Sequence, residues 1–149
     1  MNQHPYLRAY MAGVAVPTAL LLVGVTVFFF ARFVFNVPLP IERVVIFPLT
    51  IIPNAFGLWN MLYVKLYPRW KTPIGLHGAI LPFLIGPIGF TLAVALGFIT
   101  ATEHGLVAFG MIRIPYGMLA VAPFVAIAAY YLLWKYGVGF LNREVGIAG

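Results

Sequence analysis

The sequence predicts an all-α integral membrane protein in which four transmembrane helices form one up-down bundle. Of its 149 residues, 63% are hydrophobic and only 8% are charged, whereas an ordinary soluble domain is roughly 25% charged. Charged residues divide the chain into four long uncharged stretches, at residues 9–31, 44–64, 72–102 and 114–134. The length suits a single domain, so residues 1–149 are expected to form one four-helix unit.

Each uncharged stretch is long enough to cross a bilayer, because about 20 helical residues span the hydrocarbon core. We place the first helix at about residues 10–31 and the second at about 44–64. The third stretch is too long for one crossing, so its helix is placed at about 76–99, and TATEHGLVAFGMIR (100–113) is expected to be a loop at the membrane interface. The fourth helix is expected at about 114–134.

Paired prolines occur in the second and third helices. The segment IFPLTIIPNAFGLWN contains Pro48 and Pro53, and ILPFLIGPIGF contains Pro82 and Pro87, each 34 residues further along. Proline removes a backbone donor and clashes with the preceding turn, so we expect both helices to kink. Asn54, which follows Pro53, offers groups that cap exposed backbone.

Two interpretations of these five residues remain open. They frame a possible midplane site, as in transporters built from broken helices. Alternatively, they reflect the general abundance of proline and glycine in membrane helices.

Small residues spaced four apart predict close contacts between helices. These pairs are Ala15 and Ala19, Ala93 and Gly97, and Ala122 and Ala126. The opposite, Phe- and Leu-rich flanks are expected to face lipid or a partner protein.

Polar residues between the helices define a possible outer polar cluster. Its members are Glu42, Arg43, Glu103, His104 and Arg113. A neighbouring Glu and His provide an acid–base pair or two metal ligands. The alternative is an ion pair between loops, Glu42 with Arg113 or Glu103 with Arg43, worth at most about 1 kcal/mol when exposed.

His77 is a possible cofactor ligand, because Gly75 and Gly78 beside it leave room for a planar ring such as haem or another pigment. No second histidine lies at a matching depth, since His4 is in the amino-terminal tail and His104 is on the other side. The alternative is a hydrogen-bonding residue at the start of the helix. The sequence therefore requires no cofactor, and the absence of cysteine excludes thiolate metal sites.

Charge and aromatic residues predict the orientation. Six of the nine Lys and Arg residues lie on the side of the termini and three on the other, which places both termini in the cytoplasm of a bacterial-type inner membrane. Most Trp and Tyr residues fall on the same side and are expected to form an interfacial belt: Tyr6, Tyr10, Trp59, Tyr63, Tyr67, Trp70, Tyr130, Tyr131, Trp134 and Tyr136.

The pattern of charges limits which classes of function are possible. No Asp, Glu, Lys or Arg lies within the inner part of a predicted span, which argues against an ion-coupled pump. The cations are scattered singly beside apolar segments, so nucleic acid is not an expected partner. No nucleotide loop, serine nucleophile elbow or zinc-protease helix appears, which argues against an enzyme of a familiar soluble type.

The sequence thus predicts a structural or interaction subunit of a membrane assembly, without its own catalytic or metal site. Its expected partners are the lipid bilayer and other membrane subunits, or further copies of itself. A first alternative is a small channel or facilitator that uses the proline-containing helices. A second is a membrane-interface enzyme that uses the outer polar cluster.

Overall fold

Long helices and one small sheet make up the protein. The computed structural model describes residues 4–38 and 41–147, and for residues 41–50 it describes the backbone alone. The elements in chain order are α1 (Pro5–Phe33), α2 (Ile41–Trp70), α3 (Ile74–Ala95), β1 (Ile99–Thr102), β2 (Gly105–Ala108), β3 (Ile112–Pro115), α4 (Tyr116–Leu132), a π-helical segment (Leu133–Val138) and α5 (Gly139–Glu144). The last three helical elements form one continuous rod of 29 residues, Tyr116–Glu144.

Within the described residues, three helices are long and apolar enough to cross a membrane: Pro5–Phe33, Ile74–Ala95 and Tyr116–Glu144. This confirms the predicted membrane location and the mainly helical fold. Since α2 is not among these three, the count of four crossings stays a prediction. The helical backbone continues without interruption through Pro82 and Pro87, and the predicted kinks also stay a prediction.

The third helix ends earlier than residue 99 because Gly97 stops it. Gly97 has φ +72°, a conformation that glycine adopts without a steric cost. The Phe98 N–H donates to the Ala93 carbonyl at 2.8 Å, and the Gly97 N–H donates to the Val94 carbonyl at 3.0 Å. These two bonds form a Schellman motif, which satisfies the last carbonyls of the helix.

Residues 100–113 were expected to form a loop. They instead form most of an antiparallel sheet with the strand order β1-β2-β3. Strand β1 pairs with β2 through Thr100 and Val107, and β2 pairs with β3 through Val107 and Arg113. The all-α prediction is therefore wrong for this segment. Short strands whose apolar and polar residues alternate remain hidden when a segment is read only for uncharged length.

The start of α1 and the end of α5 lie at the same end of the bundle, here called the terminal end, and the sheet marks the opposite end, here called the sheet end. Arg8 Nη1, near the start of α1, donates to the Val145 carbonyl at 3.2 Å. Helix α1 packs along α2, and α3 packs along the last helical rod.

The contact between α1 and α2 is close at Gly13, where an added Cβ would lie 2.6 Å from the Phe56 carbonyl oxygen. The predicted contact residues Ala15 and Ala19 are exposed instead. Small residues of α1 do mediate its contact with α2, but they are Ala9, Ala12 and Gly13 rather than the predicted pair.

Leu106 and Ala108 of β2 are buried at the sheet end, whereas the helical core lies toward the terminal end. It is centred on Phe56, Leu81, Trp134 and Val138, one or more from each of α2, α3 and the π-helical segment. By contrast, α4 contains no buried residue over Tyr116–Leu132. The helices are therefore well packed at one end and expose large apolar side chains toward the other.

Candidate functional site

A pair of buried amides joins three helices at the terminal end. Asn60 in α2 and Asn142 in α5 are each at most 1% exposed. Asn60 Nδ2 donates to Asn142 Oδ1 at 2.7 Å, and Asn142 Nδ2 donates to Asn60 Oδ1 at 3.0 Å. Asn60 Nδ2 also donates to the Ala9 carbonyl of α1 at 2.7 Å. Because each amide satisfies the other, the pair acts as a polar clamp in an apolar interface.

His77 makes a reciprocal contact with Trp59. Trp59 Nε1 donates to the His77 carbonyl at 2.9 Å, and His77 Nε2 lies 3.1 Å from the Trp59 carbonyl. Since a carbonyl oxygen only accepts, this contact requires a proton on Nε2. The two rings stack with centroids 4.7 Å apart.

This arrangement assigns His77 to packing and hydrogen bonding between α2 and α3. A haem iron or pigment metal at Nε2 would have to displace the Trp59 carbonyl. Glycine does provide space here, as the sequence suggested, but a protein ring fills it. An added Cβ on Gly78 would lie 1.9 Å from Trp134 Cγ.

Trp134 is the centre of the aromatic core. Its side chain is fully buried, and its ring lies 5.5 Å from that of Phe56 and 5.9 Å from that of His77. Its Nε1 has no hydrogen-bond partner within the part of the chain that the structure describes. Trp134 belongs to the π-helical segment, and such segments change the direction of side chains relative to an ordinary helix.

The expected interfacial belt of aromatic residues is therefore only partly correct. Trp70 and Tyr136 are 68% and 63% exposed, as a belt requires. Trp134 and Tyr63 are instead core residues, at 0% and 2%. Sequence position placed all of them near one membrane face, but only packing distinguishes a ring in the headgroup zone from one in the core.

Asn54, one of the residues of the possible midplane site, contacts helix α1. Its Oδ1 accepts a hydrogen bond from the hydroxyl of Tyr10 in α1, and the residue is exposed. Asn54 therefore lies on the side of α2 that meets α1, and its place in a midplane site stays a prediction. Pro53 is buried, and the side chain of Pro48 lies outside the described residues.

Pro82 and Pro87 do line a cavity, which has a volume of about 810 Å³ and lies between α2, α3 and α4. Its wall also includes Gly86, Gly89 and Pro123, and it extends down to Tyr130, whose ring lies beside the core. No charged residue is among the described residues of its wall. The cavity suits apolar chains or uncharged solutes and offers no site for an ion.

The outer polar cluster is divided by the sheet. Glu103 and His104 form the turn between β1 and β2, and Arg113 lies on β3. His104 and Arg113 line a second pocket, of about 500 Å³, whose wall does not include Glu103. The side chains of Glu42 and Arg43, and hence both expected ion pairs, lie outside the described residues.

A metal centre finds no support in the described part of the chain. No group of three or more His, Asp or Glu residues there is close enough to hold a metal ion.

No protein-family model matches the chain, and neither a curated protein nor a solved structure matches it.

Proposed function

We propose that the protein is a structural or interaction subunit of a membrane assembly and has no catalytic site of its own. The observation that carries this proposal is the one-sided packing of the helices. Most of the buried helical residues that the structure describes lie toward the terminal end. By contrast, α4 has no buried residue over Tyr116–Leu132, and its Phe124 and Val125 are 72% and 61% exposed.

Exposed apolar side chains are stable against lipid, so exposure alone does not require a protein partner. The asymmetry of the packing supports a protein partner. A chain that only had to span the bilayer would gain stability by packing its own helices along their whole length, and here the sheet-end half of α4 is left without such packing. The partner is another membrane subunit or a second copy of the chain, docked against the sheet-end half of α4.

The test compares two variants in mild detergent, each with exposed apolar side chains truncated to Ala. Phe124→Ala combined with Val125→Ala removes apolar surface from α4 without touching the core. Phe140→Ala, at a residue that is 50% exposed at the terminal end, is the matched control. In mild-detergent extracts of native membranes, we expect wild type and the control to migrate as an assembly. We expect the α4 double variant to dissociate from its partner.

Cross-linking in intact membranes, followed by measurement of the mass of the solubilised protein, gives the readout. A wild-type chain that remains a stable monomer without cross-links would rule out the proposal.

We also propose that both termini face the cytoplasm of a bacterial-type inner membrane. The six-to-three distribution of Lys and Arg supports this orientation. Because the chain contains no cysteine, single cysteines at Arg69 and Glu103 can be labelled from outside intact cells. We expect labelling at position 103 only, and labelling at position 69 only would reverse the orientation.

A second candidate function is a facilitator for small uncharged solutes, which is favoured by the cavity beside Pro82 and Pro87. Gly86→Leu fills this cavity, and an added Cβ at Gly86 meets nothing within 4 Å. Gly24→Leu is the control, since Gly24 has equally open surroundings but lies outside the cavity. The facilitator predicts solute flux in liposomes that Gly86→Leu abolishes and Gly24→Leu preserves, whereas a purely structural subunit predicts no flux.

A further inference from the structure

The register of the sheet collects particular residues on one of its faces. Directly paired residues of antiparallel strands point to the same side. Thr102 pairs with Gly105, Gly105 with Pro115, and Val107 with Arg113. Residues two apart on a strand also share a side, so all five belong to one face, here called the pocket face.

The pocket of about 500 Å³ is formed on this face. All five of these residues line it, and His104 joins them from the turn. Gly105 is needed there, because an added Cβ would lie 2.2 Å from the Ile114 carbonyl oxygen. The absence of this side chain keeps the strands close and the pocket open.

Hydrogen bonds hold the pocket in shape. Thr102 Oγ1 donates to the Gly105 carbonyl, and the Tyr116 hydroxyl at the start of α4 donates to the Thr102 carbonyl, both at 2.8 Å. A ligand therefore meets a preformed wall, which reduces the ordering cost of binding.

The electrostatics of the wall favour an anion. Arg113 contributes a guanidinium group, and His104 contributes a second nitrogen donor. Of the acidic side chains that the structure describes, Glu103 and Glu144, neither is part of the wall. Val107, paired directly with Arg113, provides apolar surface beside these donors.

We propose that this pocket binds a phosphate group. The planar fork of an arginine matches the oxygens of a phosphate, and it does so more specifically than a lysine. The pocket lies between the end of α3 and the start of α4, two helices apolar enough to cross a membrane, so it is at the level of the lipid headgroups. The phosphate comes from an anionic phospholipid or from free phosphate, and the two sources are distinguishable by experiment. The proposal does not depend on the function proposed above.

The experiment measures thermal unfolding of the full-length chain in micelles of a neutral detergent at constant ionic strength. Three additives are titrated separately: phosphatidylglycerol, phosphatidylcholine and inorganic phosphate. A ligand that binds only the folded state raises the apparent Tm in a saturable way. We expect a saturable rise with phosphatidylglycerol and none with phosphatidylcholine, whose headgroup carries no net charge. An equal rise with inorganic phosphate would assign the site to free phosphate instead.

Variants connect this effect to the pocket. Arg113→Gln should lose the rise, and Arg113→Lys should retain part of it, because lysine preserves the charge without the fork. Arg32→Gln is the matched control, since Arg32 lies at the same sheet end but outside the pocket. If Arg113→Gln unfolds at a lower temperature without additive, His104→Gln replaces it as the test of the same wall. A rise of equal size in Arg113→Gln and wild type, or with phosphatidylcholine, would overturn the proposal.

Discussion

Single buried polar residues are expected to have large effects on the stability of this protein, because burial removes them from water. Asn60 and Asn142 bond each other in both directions, and Asn60 also reaches the Ala9 carbonyl. Each amide therefore depends on the other for satisfaction. Removing one leaves buried donors and acceptors unpaired in its partner, whereas removing both leaves only apolar contact.

A double-mutant cycle tests this clamp. Asn142→Leu should lower the free energy of unfolding by about 1–2 kcal/mol, in the range of interhelical polar contacts in membranes. Asn60→Leu should lower the free energy of unfolding by at least as much, because it also removes the hydrogen bond to the Ala9 carbonyl. The double variant should cost less than the sum of the two, as measured by reversible unfolding in mixed micelles. Strictly additive effects would show that the amides do not act as a pair.

Two glycines of α3 should respond in opposite ways to the same substitution. Gly78→Ala places a methyl group 1.9 Å from Trp134 Cγ, so we expect a loss of about 1–3 kcal/mol from overpacking. Gly86→Ala meets nothing within 4 Å and should stabilise the helix by up to about 1 kcal/mol. Thermal unfolding of both variants checks the contrast, and a stable Gly78→Ala protein would contradict the described packing of Trp134.

At the scale of elements, the sheet shows how a local pattern can be overlooked. The strands β1 and β3 alternate polar and apolar residues, as in Thr100 and Thr102 against Ile99 and Ala101. Each strand has only four residues, so no single one shows a clear period. Their pairing with β2 makes the pattern meaningful, and pairing is a tertiary property.

Helix α3 offers a test of the proline pair. Pro87 lacks an N–H for the helix and lies on the cavity wall rather than in the core. Pro87→Ala should therefore restore a backbone hydrogen bond without leaving a new hole, and the Tm should hold or rise. If the cavity also conducts solutes, flux should fall in the same variant. A clear loss of stability would instead show that the ring of Pro87 supports packing.

At the scale of the whole molecule, the carboxyl-terminal segment closes the core. Val138, Gly139, Asn142 and Ile147 are all buried, and Arg8 reaches across to the Val145 carbonyl. The end of the chain thus packs against its beginning, and the helices are tied together where α1, α2 and α5 meet.

Removal of residues 139–149 should consequently destabilise the whole terminal end. We expect the free energy of unfolding to fall by well above the roughly 1 kcal/mol of a typical point substitution. The deletion removes Asn142 together with α5 and leaves Asn60 without that hydrogen-bond partner. Limited proteolysis in detergent should then cut α1 and α2 faster than in the full-length chain. A truncated protein with an unchanged Tm and cleavage rate would show that α5 is dispensable for folding.

The sequence by itself determined that this chain belongs in a membrane, because apolar length and the scarcity of charge act locally and need no partner. It also indicated that Gly75 and Gly78 make room for a ring, and it left open whether Pro82 and Pro87 belong to a midplane site. Tertiary structure alone decided that Tyr131 lies against Gly75 and Trp134 against Gly78, that Asn54 faces Tyr10, and that His104 and Arg113 share a pocket. These outcomes depend on which face of each element meets another, and a face is chosen by packing energies summed over the whole fold.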